Sequence, residues 1–255
     1  MSNLAKAFDH GKAFIPFITC GDPSLEVTKE VVIAMEKAGA DLIELGIPFS
    51  DPTAEGEVIM EASIRALEAG TTTDKVFDMV RELRKTVKIP MVFMTYANVL
   101  FSYGAEKFIS TSKEIGMDGF IIPDIPYEER GELEGFAKKY DLDFITLIAP
   151  TSKNRIGALA KNASGYIYLV SSMGVIGMRD DLKTDISEIV QEIRKYTDTP
   201  IAVRFGIHTR EQVKEYQKEV DGVIVGSGIV RLIEEHGDNA KDAIYEYVNG
   251  LCVDR

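Results

Sequence analysis

Glu44 sits between Ile43 and Leu45 near the end of an apolar run, and the polar loop that follows carries Asp51 and Glu55. Burying a carboxylate as the anion is costly. The pKa of such a glutamate is driven up, toward the range where it trades a proton near neutral pH. The pattern makes Glu44 a candidate general acid or base. The competing reading is a strand-end glutamate that finds a salt-bridge partner or keeps its head in water.

The elements that must position these carboxylates follow from the rest of the chain. Short apolar runs recur at 13–19, 41–46, 90–96, 119–123, 143–149, 166–171, 200–205 and 222–225, eight candidate strands in all. Helix-period stretches lie between them at 25–38, 73–87, 105–115, 127–140, 152–161, 184–196 and 209–219. Strands that are almost continuously apolar belong to a parallel sheet covered on both faces. Eight strand–helix units in 255 residues, with no linker or break in composition, predict a single α/β domain over 1–255. Its fold is expected to be a (β/α)8 TIM barrel with an extra N-terminal helix.

In such barrels the chemistry gathers where the strands end. Glu44 is then near the end of the second strand, with Asp51 and Glu55 on the loop beyond it. Asp22, Tyr96, Asn98 and Asp124 follow strands one, three and four. For Asp22, the neighbouring Pro23 favours a turn in which the carboxylate bonds its own backbone. A second constellation lies late in the chain. Gly174 and Gly177 interrupt the loop after the sixth strand, Gly206 follows the seventh, and Gly226-Ser227-Gly228 precedes a helical run at 229–235. Glycines let backbone N–H groups approach an anion, and a helix N-terminus adds its positive end. A small phosphorylated substrate is the expected ligand, although turns need glycine in any case.

Composition narrows the function classes. A net charge of −12 and a sequence pI near 4.8 argue against binding to nucleic acid or to an anionic membrane. Cys20 and Cys252 have no metal-ligand spacing, so neither a disulfide framework nor a metal site is expected. No apolar run approaches the roughly 20 residues of a bilayer span, and the first ten residues read as an amphipathic helix without a signal-peptide core. A cytoplasmic protein is expected.

The motifs Phe14-Ile-Pro-Phe-Ile-Thr-Cys-Gly-Asp-Pro23, Glu44-Leu-Gly-Ile-Pro-Phe-Ser-Asp-Pro52, Met94-Thr-Tyr-Ala-Asn98, Pro123-Asp-Ile-Pro126, Gly174-Val-Ile-Gly177, Phe205-Gly-Ile207 and Gly226-Ser227 resemble those of the tryptophan synthase alpha subunit family, over nearly the whole chain. The resemblance implies a lyase of tryptophan biosynthesis that cleaves indole-3-glycerol phosphate to indole and glyceraldehyde 3-phosphate by a retro-aldol reaction. No metal or cofactor is implied in this chain. A beta subunit carrying pyridoxal phosphate is implied as partner, in an alpha2-beta2 assembly, with a contact surface around Asp51, Pro52, Asn98 and Asp124. Residue by residue, Glu44 matches the acid/base catalyst, and Glu55 stands where most members carry the aspartate that stabilises the ring nitrogen. Phe17, Ile59, Tyr96, Ile121, Tyr168 and Phe205 match substrate-pocket positions. Gly177, Gly206, Gly226 and Ser227 match the phosphate-binding backbone.

The chain departs from the family pattern at several of these places. Glu55 is one methylene longer than the usual aspartate. Ile176 replaces a threonine whose hydroxyl helps latch the strand-six loop onto the strand-two loop, and an isoleucine cannot make that bond. Arg204 replaces a glycine, from where it either reaches a phosphate or crowds the pocket. Glu57 and Met60 also depart. Two alternatives to the lyase therefore stay open. One is a catalytically weakened interaction or regulatory subunit, and the other a related barrel enzyme acting on a different phosphorylated aromatic substrate.

Overall fold

A computed structural model describes residues 3–9, 11–170, 179–204, 206 and 209–252, without the side chains of 153–154 and 179–185. Its parallel strands are β1 (Ala13–Thr19), β2 (Ile43–Gly46), β3 (Met91–Met94), β4 (Gly119–Ile121), β5 (Asp143–Phe144), β6 (Thr146–Ile148), β7 (Ile167–Val170), β8 (Ile201–Arg204) and β9 (Gly222–Val225). They hydrogen-bond in the order β5-β4-β3-β2-β1-β9-β8-β7-β6. The ninth segment corrects the expected count of eight only in form. The fifth expected strand is divided at Ile145, whose N–H still donates to the Phe120 carbonyl at 3.0 Å. The two ends of the order are thus consecutive pieces of one strand, and the sheet is a nearly closed TIM barrel.

Burial on both faces explains the apolar runs. All seven residues of β1 are buried, and alternate side chains serve two cores. Ala13, Ile15 and Phe17 join Leu42, Val92, Ile121, Tyr168, Ala202 and Ile224 inside the barrel. Phe14 and Ile18 face outward, with Ile43, Leu45 and Phe93, into the layer beneath the helices.

The structure differs from the sequence reading at the ends of the chain. The N-terminal helix is a 3-10 turn, Asn3–Phe8. Leu4, Ala7 and Phe8 are buried in the interior core and close the floor of the barrel. Gly222 makes room for this plug, because a Cβ there would lie 2.9 Å from the Phe8 ring. Beyond the helical runs named above, the structure has helices Glu57–Glu68, Ala97–Tyr103 and Ala240–Cys252, and the run at 229–235 is part of Ser227–His236. Helix Ala240–Cys252 packs against Leu25–Lys37 and against Ser227–His236. No described helix is long and apolar enough to cross a membrane.

Candidate active site

Glu44 lies on β2 at the same level as Phe17 on β1 and Val92 on β3. Its parity turns it inward, and it is fully buried. The Tyr166 hydroxyl donates to Glu44 Oε1 at 2.7 Å, while Oε2 is buried without a hydrogen-bond partner among the described residues. Burial pushes the carboxyl from 4.5 up to about 7. The Tyr166 hydrogen bond and the Arg204 charge oppose that rise, and the charge of Glu55 adds to it. Protonated and ionised forms are both accessible near neutral pH, as acid/base work requires.

Tyr166 was not among the predicted site residues. It stands one inward step below Tyr168 on the same face, and strand periodicity is the signal that would have found it. Its ring packs on Phe8, centroids 5.6 Å apart, so the floor of the barrel supports the residue that orients Glu44. Tyr166→Phe is expected to raise the pKa of Glu44 above about 7, since it removes a hydrogen bond to the charged form. The corresponding limb of the pH–rate profile should move to higher pH. A profile that does not move would make Tyr166 a packing residue only.

Glu55 lies on the loop between β2 and helix Glu57–Glu68, with its side chain turned in and only 3% exposed. Its partner is Arg204 at the end of β8. The Arg204 guanidinium donates from Nη2 to Glu55 Oε2 at 2.6 Å, and from Nη1 to the Tyr168 hydroxyl at 2.9 Å and, more weakly, to Glu55 Oε1 at 3.4 Å. It also lies over the Phe17 ring, 5.1 Å from the centroid. In this conformation the Arg204 side chain points into the mouth and crowds it, the second of the two expectations. The space remaining among Phe17, Thr19, Gly46, Glu55, Ile59, Met94 and Tyr96 is about 10 Å³.

The rest of the predicted pocket is largely assembled. Phe17, Ile59, Ile121 and Tyr168 are buried in the interior core. Gly46 is required beside them, since a Cβ at that position would sit 2.7 Å from the tip of the Phe17 ring. Tyr96 lines the same space and also pins the carboxylate-bearing loop. Its hydroxyl accepts from the Ala54 N–H at 3.1 Å, and its ring stacks on Phe49 with centroids 5.3 Å apart. Phe205, Ile176, Gly174 and Gly177 lie outside the described residues.

Of the predicted phosphate positions, Gly206 follows β8, and Gly226 is the N-cap of the ten-residue helix Ser227–His236 with no side-chain cap hydrogen bond. The first N–H groups of that helix keep their anion-binding capacity. The remaining rim residues are tied into the fold to different degrees. Asp22 is buried and accepts both prongs of Arg65, at 2.8 and 2.9 Å, which corrects the expectation that it bonds its own turn. Asp124 accepts from the Ala97 N–H and ties the loop after β4 to helix Ala97–Tyr103, which follows β3. Among the described residues, Asp51 and Asn98 make only local side-chain hydrogen bonds, to Ser50 and Ser102.

Comparison with known proteins agrees with this geometry. The family model described as tryptophan synthase alpha chain matches residues 4–250. The chain is 47% identical over 253 residues to the tryptophan synthase alpha chain of Lacticaseibacillus casei, covering 99% of this chain and 95% of that one. The alpha subunit structure from Campylobacter jejuni superposes with a TM-score of 0.88 at 34% identity, covering 96% of this chain and 97% of that one. A chain from the Pyrococcus furiosus tryptophan synthase complex gives 0.86 at 33% identity, covering 94% and 97%. Matched by the family model and by a 47% identical relative along almost its entire length, this barrel with a buried glutamate on its second strand belongs to the tryptophan synthase alpha chain family.

Proposed function

We propose that Glu44 and Glu55 divide the cleavage of indole-3-glycerol phosphate between them, in the lyase reaction of this family. The observation that carries the proposal is the fully buried Glu44 carboxyl on β2, its pKa raised by burial to about 7. Breaking the bond between the ring and the glycerol chain needs a proton delivered to ring carbon three and a proton removed from the side-chain hydroxyl. The indole nitrogen becomes positively charged before the bond breaks. Its electrons then return to the ring, releasing indole and an aldehyde, glyceraldehyde 3-phosphate. Glu44 handles the protons and Glu55 accepts the ring N–H as charge develops.

Phe17, Ile59, Ile121, Tyr168 and Phe205 enclose the ring in this reading. Backbone N–H groups at Gly177, Gly206, Gly226 and Ser227 receive the phosphate. Ile176 cannot supply the hydroxyl that would latch the strand-six loop onto the strand-two loop, so loop closure is the weakened step in this reading. The chain works in the cytoplasm with a beta subunit, in an alpha2-beta2 assembly, through the loops bearing Asp51, Pro52, Asn98 and Asp124. Pyridoxal phosphate belongs to that partner. Among the described residues no group of His, Cys, Asp or Glu is arranged to hold a metal ion.

The Arg204–Glu55 pair favours one second reading, a subunit whose own chemistry is weakened and whose main role is to bind and regulate its partner. Indole release from indole-3-glycerol phosphate by the purified chain, measured with and without a beta subunit, separates the two. Turnover that rises when the beta subunit is added is the expected result. Substrate binding without turnover in either condition would establish the second reading.

A further inference from the structure

The cation at the mouth of the barrel has a place in the substrate site that neither the fold nor the chemistry above requires. Arg204 is held at both ends of its guanidinium fork, by Glu55 and by Tyr168, and it packs against Phe17 and Met94 Sδ, the latter 3.9 Å away. Glu55, Phe17 and Tyr168 are the groups assigned above to the indole ring. With Glu55 and Tyr168 engaged and the Phe17 face covered, an indole ring and this arginine rotamer compete for the same groups.

The register also shows where the arginine can go. Arg204 pairs with Ile224 across β8 and β9. Gly206 and Gly226 each lie two residues beyond that pair; for Gly226, directly after β9, this is about 7 Å farther toward the rim. A substrate phosphate held there by the open N-terminus of helix Ser227–His236 is within the reach of an arginine side chain. It also offers the forked oxygens a guanidinium prefers.

We propose that Arg204 is an exchangeable plug. In the conformation seen here it fills the ring site on Glu55 and Tyr168, and the phosphate of an incoming substrate draws it out to the rim. The ring site then opens to ligands that bring an anion and stays closed to the bare ring. Withdrawal also frees the Glu55 carboxylate for the ring N–H, so phosphate binding and assembly of the catalytic pair become one event. The proposal rests on the reading of this mouth as the indole site. It adds a specificity device to that site, discriminating by a group remote from the bond that breaks.

The test uses two non-cleavable ligands, 3-indolylpropanol phosphate and 3-indolylpropanol, titrated against the full chain. The protein has no tryptophan, so the fluorescence of the ligand's indole reports binding directly. Wild-type protein is expected to bind the phosphate ester and to bind the alcohol very weakly. Arg204→Ala should bind the alcohol about ten-fold or more tighter than wild type, because a plugged majority no longer competes. Its preference for the phosphate ester should shrink by at least the same factor, since the anion's second partner is also gone. Arg204→Gln, which removes the charge but keeps a hydrogen-bonding side chain, carries the same two expectations if the alanine variant does not fold. Alcohol affinity that is unchanged or weaker, or a phosphate preference left intact, overturns the plug. If neither wild type nor variant binds the phosphate ester, the assignment of the mouth as an indole site fails, and the plug falls with it.

Discussion

Glu44→Gln is expected to cut indole release by on the order of 100-fold or more while leaving the affinity for 3-indolylpropanol phosphate within a few-fold of wild type. Glutamine nearly preserves volume and can still accept the Tyr166 hydroxyl, but it cannot exchange a proton. Single-turnover rates beside ligand titrations check both halves. A correctly folded Glu44→Gln protein with full activity would remove the proposed chemistry.

The same variant also reads out the electrostatics of the site. Burial raises Glu44 from 4.5 to about 7, so between those values the folded state binds a proton that the unfolded state has released. The stability contributed by the neutral carboxyl is fully present below pH 4.5 and is lost as pH rises through about 7. At about 1.4 kcal/mol per pKa unit the loss amounts to about 3 kcal/mol. Other groups titrate over the same range, so the informative quantity is the difference between variant and wild type. Glu44→Gln should gain on wild type by roughly that amount as pH rises from 4.5 to 8, measured by denaturant unfolding. A difference that stays flat across this range would mean that Glu44 keeps an ordinary carboxylate pKa.

The parts of the fold legible in the sequence were those with a single periodic signal. Runs such as Ala13–Thr19 announce a parallel strand because both faces are apolar. The same property hides which face is which, since Ile201 to Val203 are equally apolar and equally buried. The inward direction of Arg204 follows only from the pairing of β8 with its neighbours, a long-range fact. The partner of Glu55 was unreadable for the same reason, as it lies 149 residues away. The N-terminal turn shows a different limit. Its apolar residues suit an amphipathic helix as well as a 3-10 plug, and the choice is made by the barrel floor it fills. Glu44, by contrast, was legible as an anomaly, a charged residue inside an apolar strand. Proteins keep such local violations where they serve function.

Glu55→Gln is expected to lower kcat by about 100-fold with little loss of ligand affinity. Removing one preorganised charge that faces a developing charge costs about 10²–10³ in rate. The loss should fall on kcat because the ring nitrogen becomes positive only on the way to bond cleavage. The structure supplies a rival explanation, since Glu55 is also the partner that neutralises Arg204. If neutralisation were its whole role, the amide would slow the enzyme merely by stranding a cation in the ring site. Removing that cation as well should then restore the rate. A double-mutant cycle decides the matter. With Glu55 acting on the ring nitrogen, the Glu55→Gln/Arg204→Ala protein stays about 100-fold slower than Arg204→Ala alone. With Glu55 acting only on Arg204, the double variant matches Arg204→Ala, and the carboxylate across the mouth from Glu44 is a counterion to the arginine and has no part in the chemistry.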